Sequence, residues 1–278
     1  MVLEDLSKLQ LFKKSGFLVL FLGLFYSLFA SFFSMLIFKK DLSVIVLFII
    51  TVLLTPTLAK ILSRGERIER VFGIRHFFHT HKRIFSTYLY LTIGVFIGFL
   101  MIGAFISKNP DSFSNMFGYQ LDFLNDRGNG EIMATADYSP SLGHFASITV
   151  NNVAVALIAF MLSLFYGAGA IFLVVLNASI FSTFLLFVIN SYAGDIAAAL
   201  MVIAIFMIHM IPEISGFLLA AIAGGILSKG FLREKPGTSQ FKNIVKDAML
   251  LLIIAILVII ISGFLETYVS SVIFTSIF

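Results

Sequence analysis

Residues 149–190 read TVNNVAVALIAFMLSLFYGAGAIFLVVLNASIFSTFLLFVIN, and the chain carries no Asp, Glu, Lys or Arg anywhere from 138 to 194. A helix drawn over 149–190 would be about 63 Å long at roughly 1.5 Å per residue, about twice the ~30 Å hydrocarbon core of a bilayer. Gly167-Ala168-Gly169 lies near its middle and is the natural place for the chain to turn. The stretch therefore reads as two membrane crossings back to back. In lipid every backbone polar group must be satisfied within the segment, so the crossings are helices.

The remainder of the chain agrees. Of 278 residues 59% are hydrophobic and only 12% charged, with a mean hydropathy of +1.04. A soluble domain of this length needs far more polar surface. The expected fold class is all-α: a polytopic membrane helix bundle. Residues 17–38 form a run without a charge after Lys13 and Lys14. It is too long for the ~7–15-residue apolar core of a secretory signal, so it reads as an uncleaved first span. Lys39-Lys40-Asp41 makes a turn, and a second span covers about 42–59. A third covers about 85–106 and carries Gly94-x-x-x-Gly98, a motif that lets helices approach closely. The fourth and fifth spans are those of the opening stretch. A sixth covers 196–228 and contains Pro212, which removes one backbone hydrogen bond and predicts a kink. The last begins near Ala248. This gives about seven crossings. Trp is absent, so Tyr88, Tyr90, Tyr138, Tyr192 and Tyr268 are the expected interfacial aromatics, together with Phe.

Charge sets the orientation. Residues 60–83 hold Lys60, Arg64, Arg67, Arg70, Arg75, Lys82 and Arg83 against two acids, and residues 229–247 hold five basic residues against two acids. Residues 107–148 hold two basic residues and five acids. By the positive-inside rule the first two segments are cytoplasmic and the third is outside. The N-terminus is then cytoplasmic and the C-terminus external. The expected organisation is two N-terminal spans over 1–62, a basic cytoplasmic loop over 63–84, and a membrane domain over 85–278 with an outer loop at 107–148. Within that loop Phe113, Met116, Phe117, Leu121 and Leu124 recur at helical spacing. They predict a short amphipathic helix that lies on the outer membrane surface or caps the bundle.

Against this apolar background Glu213 and Glu266 stand out, with His209 one helical turn before Glu213. A charge at the centre of a membrane helix costs roughly 2.5–3.5 kcal/mol on insertion scales and usually marks a function. Depth can be counted along the spans. Glu213 lies about 22 Å before the inner end of its span at Ser228, and Glu266 about 27 Å beyond Ala248. Asn151 and Asn152 open the fourth span from outside. All of these fall toward the outer half of the bilayer. Asn177 is a further intramembrane polar residue, but the same count places it in the inner half of the fifth span, apart from the others. No Lys or Arg lies in the spans of Glu213 and Glu266. The cluster reads either as a site that handles a proton, a cation or a polar headgroup, or as a hydrogen-bond network that fixes helix packing.

Enzyme signatures are lacking: there is no His-Glu-x-x-His, no Gly-x-Ser-x-Gly and no P-loop. Cysteine is absent, which excludes thiol chemistry and disulfides. His76-x-x-His79-x-His81 has metal-like spacing but sits in a basic loop without a carboxylate or thiol beside it, so no metal or other cofactor is expected. The basic segments come without a nucleic-acid recognition module, and nucleic-acid binding is not expected either.

Asn151-Asn152 opening a helix, Gly167 and Gly169, Asn177, His209-Met210-Ile211-Pro212-Glu213, Ala223-Gly224-Gly225 and the late Glu266 together resemble the stage II sporulation protein M family. The stretch from Ile211 to Ser228 is most similar to its archaeal members. The resemblance covers about 85–278, and the first two spans look like an addition to it. Met210 departs from the family, which often has Gly after the His. In spore-forming bacteria, members belong to a membrane complex acting with cell-wall hydrolases during engulfment. The resemblance thus implies a non-enzymatic plasma-membrane scaffold or complex subunit, in contact with lipids and with other membrane or extracellular proteins, a homo-oligomer included. For an archaeal chain the peptidoglycan partners would not carry over. The alternative is a small transporter or lipid-handling protein with a proton-titrating Glu/His site. A weaker alternative is an intramembrane hydrolase with Glu213 as base.

Overall fold

A computed structural model describes residues 16–72, 77–126, 140–166 and 170–278. Its helices follow in chain order: α1 (Gly16–Ile37), α2 (Leu42–Phe72), α3 (Phe77–Ile106), α4 (Pro110–Asp126), α5 (Leu142–Tyr166), α6 (Ile171–Tyr192), α7 (Ile196–Arg233) and α8 (Ser239–Leu265). A π turn (Glu266–Ser270) and a short α9 (Ser271–Ile277) complete the chain. No strand occurs among the described residues. Six helices among them are long and apolar enough to cross a membrane: α1, Ile84–Ile106 of α3, α5, α6, α7 and the run Ser239–Ile277. The apolar part of α2, Leu42–Leu58, is shorter. The molecule is an all-α polytopic helix bundle.

Apolar side chains cover its outside as well as its inside. Phe17, Phe32, Phe105, Phe165 and Leu200 are each more than half exposed, which suits a lipid-facing surface and not an aqueous one. Along α1 the rings of Phe25, Phe29 and Phe33 stack at 6.0 and 5.7 Å, one helical turn apart.

α7 is the central element and packs against α5, α6 and α8, with further contacts to α2 and α3. Its small residues make this possible. A Cβ on Gly224 would fall directly on the carbonyl oxygen of Phe160 in α5, so at that point two backbones touch. The chain between Asp195 and Arg233 is one continuous helix with Pro212 inside it. Asp195 caps its start by accepting from the Ala198 N–H at 2.8 Å. The turn to α8 passes through Gly237 at φ +94°, a conformation that favours glycine, and Thr238 then caps α8 by accepting from the Phe241 N–H. α1 packs on α3. A Cβ on Gly94 would meet the Leu20 backbone, and one on Gly98 would meet Ser27, so the Gly-x-x-x-Gly motif is the seam between these two helices.

Several expectations need correction. Segment 63–84, expected as a loop, is helical in its described parts: α2 continues to Phe72 and α3 begins at Phe77. Regular spacing of Leu, Ile and Arg outlasts the apolar stretch, and backbone hydrogen bonding continues with it. Tyr88, expected at the interface, is buried among helices. The amphipathic helix is α4, which packs against α2, α3 and α6. Asn109 caps it by accepting from the Ser112 N–H, and Pro110 occupies its first position. Asn115 then donates to the Lys39 carbonyl at 2.9 Å, pinning α4 to the α1–α2 turn. Phe117 breaks the helical geometry (φ −120°, ψ 15°) and is fully buried, edge-on to Phe99 of α3 at 6.2 Å. Further along, Gln120 is buried and donates to Ser179 Oγ, well inside α6, at 3.0 Å. The helix therefore enters the bundle. The turn at Gly167 and Gly169, and the side chains of His76, His79 and His81, lie outside the described residues.

Candidate functional site

The sequence rule that selects the site is simple: polar residues that recur on one helix face. On α5 His144, Ile148, Asn151, Asn152 and Val155 follow one another at helical spacing and line a cavity of about 490 Å³. From His144 to Val155 this wall runs for about 16 Å at roughly 1.5 Å per residue. α7 contributes His209, Met210 and Glu213, and the π turn contributes Glu266. α6 adds Asn177, Ile180, Phe181 and Phe184, and the end of α4 adds Phe123 and Leu124. The volume lies within the ~300–1,000 Å³ range of small-molecule sites.

Three separate chain segments, α5, α7 and the π turn, thus bring His209, Glu213, Glu266, Asn151 and Asn152 together, as the depth count expects. Asn177 corrects that count: it lines the same cavity. Counting residues along a helix gives height only if helices stand upright and the site is flat. Here the cavity is tall, and α6 reaches it over a stretch from Asn177 to Phe184. Pro212 is next to Glu213 on α7, whereas Gly224 and Gly225 are buried further along and serve the α5–α7 contact and the core.

Each polar group is held in a particular way. Glu213 and His209 are 5% and 4% exposed, so both belong to the interior of the bundle. Pro212 has no N–H, which leaves the helix loosened at this turn. The carbonyl of His209, in the same turn, accepts a 2.8 Å hydrogen bond from Ser262 Oγ of α8. The imidazole of His209 rests edge-on against Phe206 at 5.6 Å, and Phe206 in turn contacts Phe184 and Phe274. Its Nδ1 makes no hydrogen bond among the described residues. Asn151 donates to Asn152 Oδ1 at 3.1 Å, and Asn177 donates back to the Leu173 carbonyl at 2.8 Å. Glu213 and Glu266 both line the cavity and form no ion pair with a described Lys or Arg.

Two features escaped the sequence reading. One is His144, whose place on the Asn151/Asn152 face is readable from the i, i+7, i+8 spacing. The other is the π turn at Glu266–Ser270, where the Ser271 N–H and its hydroxyl both reach the Glu266 carbonyl. Such single π turns interrupt α-helices mostly at functional sites. This one starts at Glu266, and the extra residue rotates everything after it, bringing Phe274 against Phe206 and Tyr192. No sequence pattern signals it.

A family model described as Stage II sporulation protein M matches residues 14–271 of this chain. The chain belongs to the stage II sporulation protein M family. The match spans nearly the whole chain, so it takes in α1 and α2 along with the part that carries the polar motifs. No curated protein and no solved structure matches the chain. For this family member the cavity is therefore argued from its own residues. What they offer chemically is a set of oxygen and nitrogen groups, two carboxyl groups among them, in a chamber that aromatic and aliphatic side chains also line.

Proposed function

We propose that this stage II sporulation protein M family member is a multi-pass plasma-membrane protein that binds a small polar or amphiphilic molecule in the cavity between α4, α5, α6, α7 and the π turn, as a transporter or lipid-handling protein does. One observation carries the reading: the rare intramembrane polar residues of the chain converge on a chamber of about 490 Å³ instead of closing upon one another. A purely structural polar network would spend its donors and acceptors internally. Among the described residues His209, Glu213 and Glu266 make no side-chain hydrogen bond to each other, and a ligand is the natural partner. By the positive-inside rule the basic segments support a cytoplasmic N-terminus, and with it a reading in which α5 begins outside and the His144–Ser147 end of the cavity faces outward. Ser147 is exposed, which supports entry at that end.

Family membership supports a second reading, a scaffold or complex subunit, in which the same cavity is only a packing defect.

Cysteine accessibility separates the two, and the native chain has no cysteine to interfere. Ser147→Cys, Asn151→Cys and Asn177→Cys are introduced singly and treated on intact cells with a small membrane-impermeant thiosulfonate. Graded labelling, fastest at 147 and slowest at 177, is expected. Labelling of Ser147→Cys alone, with positions 151 and 177 inert, would leave the scaffold reading standing.

A further inference from the structure

Resting on the ligand-site reading, we infer that the cavity takes an amphiphile whose polar end is a protonated primary amine, the chemistry of an aminolipid headgroup or of a free long-chain amine. Two independent features point there: the polar groups that line the cavity, and its volume and apolar lining.

Glu213 and Glu266 supply carboxyl oxygens and no Lys or Arg lines the cavity. One amide N–H of Asn177 is taken by the Leu173 carbonyl, and its Oδ1 is an acceptor with no described donor. His209 adds a ring nitrogen, Nδ1, that is buried and unpartnered among the described residues. A site with two carboxyl groups, further acceptors and no basic side chain is complemented by a cation that carries several N–H donors. An ammonium has three, whereas a quaternary ammonium has none and an alcohol has one. An anion would find no Lys or Arg in the lining.

The volume and the apolar lining decide between an ammonium on an apolar body and a bare inorganic cation. An ion with its ligands needs only a few water volumes of about 30 Å³ each, whereas the cavity holds about 490 Å³. Phe123, Leu124, Ile180, Phe181 and Phe184 line what is left over. An ion would leave these side chains against water, while an alkyl chain covers them. Aromatic faces near a cation add to the same preference.

The test uses the full chain in an uncharged maltoside detergent with four ten-carbon probes: decylamine, decyltrimethylammonium, decanol and decanoate. Binding is read by isothermal titration calorimetry, with native mass spectrometry for stoichiometry. Saturable one-to-one binding of decylamine is expected, about ten- to hundred-fold tighter than the trimethyl compound or decanol, the worth of one or more charge-assisted hydrogen bonds. The preference should collapse in Glu213→Gln and in Glu266→Gln. The ranking on the native protein tests the inference even if those variants do not fold. Equal or tighter binding of decanol, decanoate or the trimethyl probe overturns the amine assignment and leaves the ligand-site reading intact. No saturable binding of any probe overturns both. The source is then told apart by the lipid co-purified from membranes. A retained aminolipid in preference to an anionic lipid points to a headgroup, and decylamine binding with no lipid retained points to a free amine.

Discussion

Ser262 of α8 donates a 2.8 Å hydrogen bond to the backbone carbonyl of His209, fifty-three positions earlier in α7. The bond crosses between the two most extensively packed helices of the bundle, at the turn that Pro212 deprives of a backbone donor. It fixes the backbone from which His209 and Glu213 face the cavity. Ser262→Ala is expected to lower stability by about 0.5–1.5 kcal/mol, the range of interhelical hydrogen bonds in membrane proteins. Unfolding in a titration with a denaturing detergent measures it, and an unchanged midpoint would show the link to be dispensable.

Gly224→Ala should be far more damaging than its size suggests. The added methyl lands on the Phe160 carbonyl, a backbone atom that cannot rotate away, so α5 and α7 must separate. A loss of about 2–3 kcal/mol or more, the upper range for overpacking, is expected. Gly118→Ala is the matched control. Nothing lies near its Cβ position, and the helix propensity of alanine predicts a neutral effect or a gain of up to about 1 kcal/mol. Thermal denaturation of the two variants side by side checks the contrast.

Gln120 is buried where α4 enters the bundle, and it is only half satisfied. Its amide N–H reaches Ser179 Oγ, while its Oε1 has no partner among the described residues. Ser179 keeps its own bond to the Leu176 carbonyl without it. Gln120→Met retains the volume and removes the orphaned acceptor, and is expected to be neutral or to stabilise by about 1 kcal/mol. Gln120→Ala leaves a cavity and should cost about 2 kcal/mol. Protease protection of α4 in both variants, read with the melting midpoint, tests whether this residue was retained for packing or for specificity.

Asn177 bonds only to its own helix, so Asn177→Ala is expected to change stability by less than about 1 kcal/mol. On the reading given above it should nonetheless weaken the binding of decylamine. A stability loss well beyond this, with binding unchanged, would make Asn177 structural.

Much of this molecule is written locally. Uncharged runs long enough to cross a bilayer mark the helices, because lipid offers no partner to an exposed backbone. Clusters such as Arg64, Arg67 and Arg70 set an expected orientation, because moving many cations across a membrane is costly. The unusual residues themselves, His209, Glu213, Glu266, Asn151 and Asn152, are conspicuous by composition alone. Even a close helix approach was visible in Gly94 and Gly98, though not that α1 makes it.

What the sequence could not supply is rotation, tilt and the interruption of a helix. Whether Asn177 faces the cavity depends on the azimuth of α6 in a bundle of several neighbours, and a count of residues along the chain contains no azimuth. α4 reads equally well as a helix on the outer membrane surface or as a cap on the bundle, because an apolar face is satisfied by lipid or by protein. Only the fit of Phe117 against Phe99, and Gln120 against Ser179, places it inside. The π turn at Glu266 arises where tertiary packing favours one extra residue in a turn, and no local propensity encodes it. Hydropathy is a property of single residues against a uniform solvent and so determined the spans. The cavity is a property of five segments packed together, and only the tertiary structure decided it.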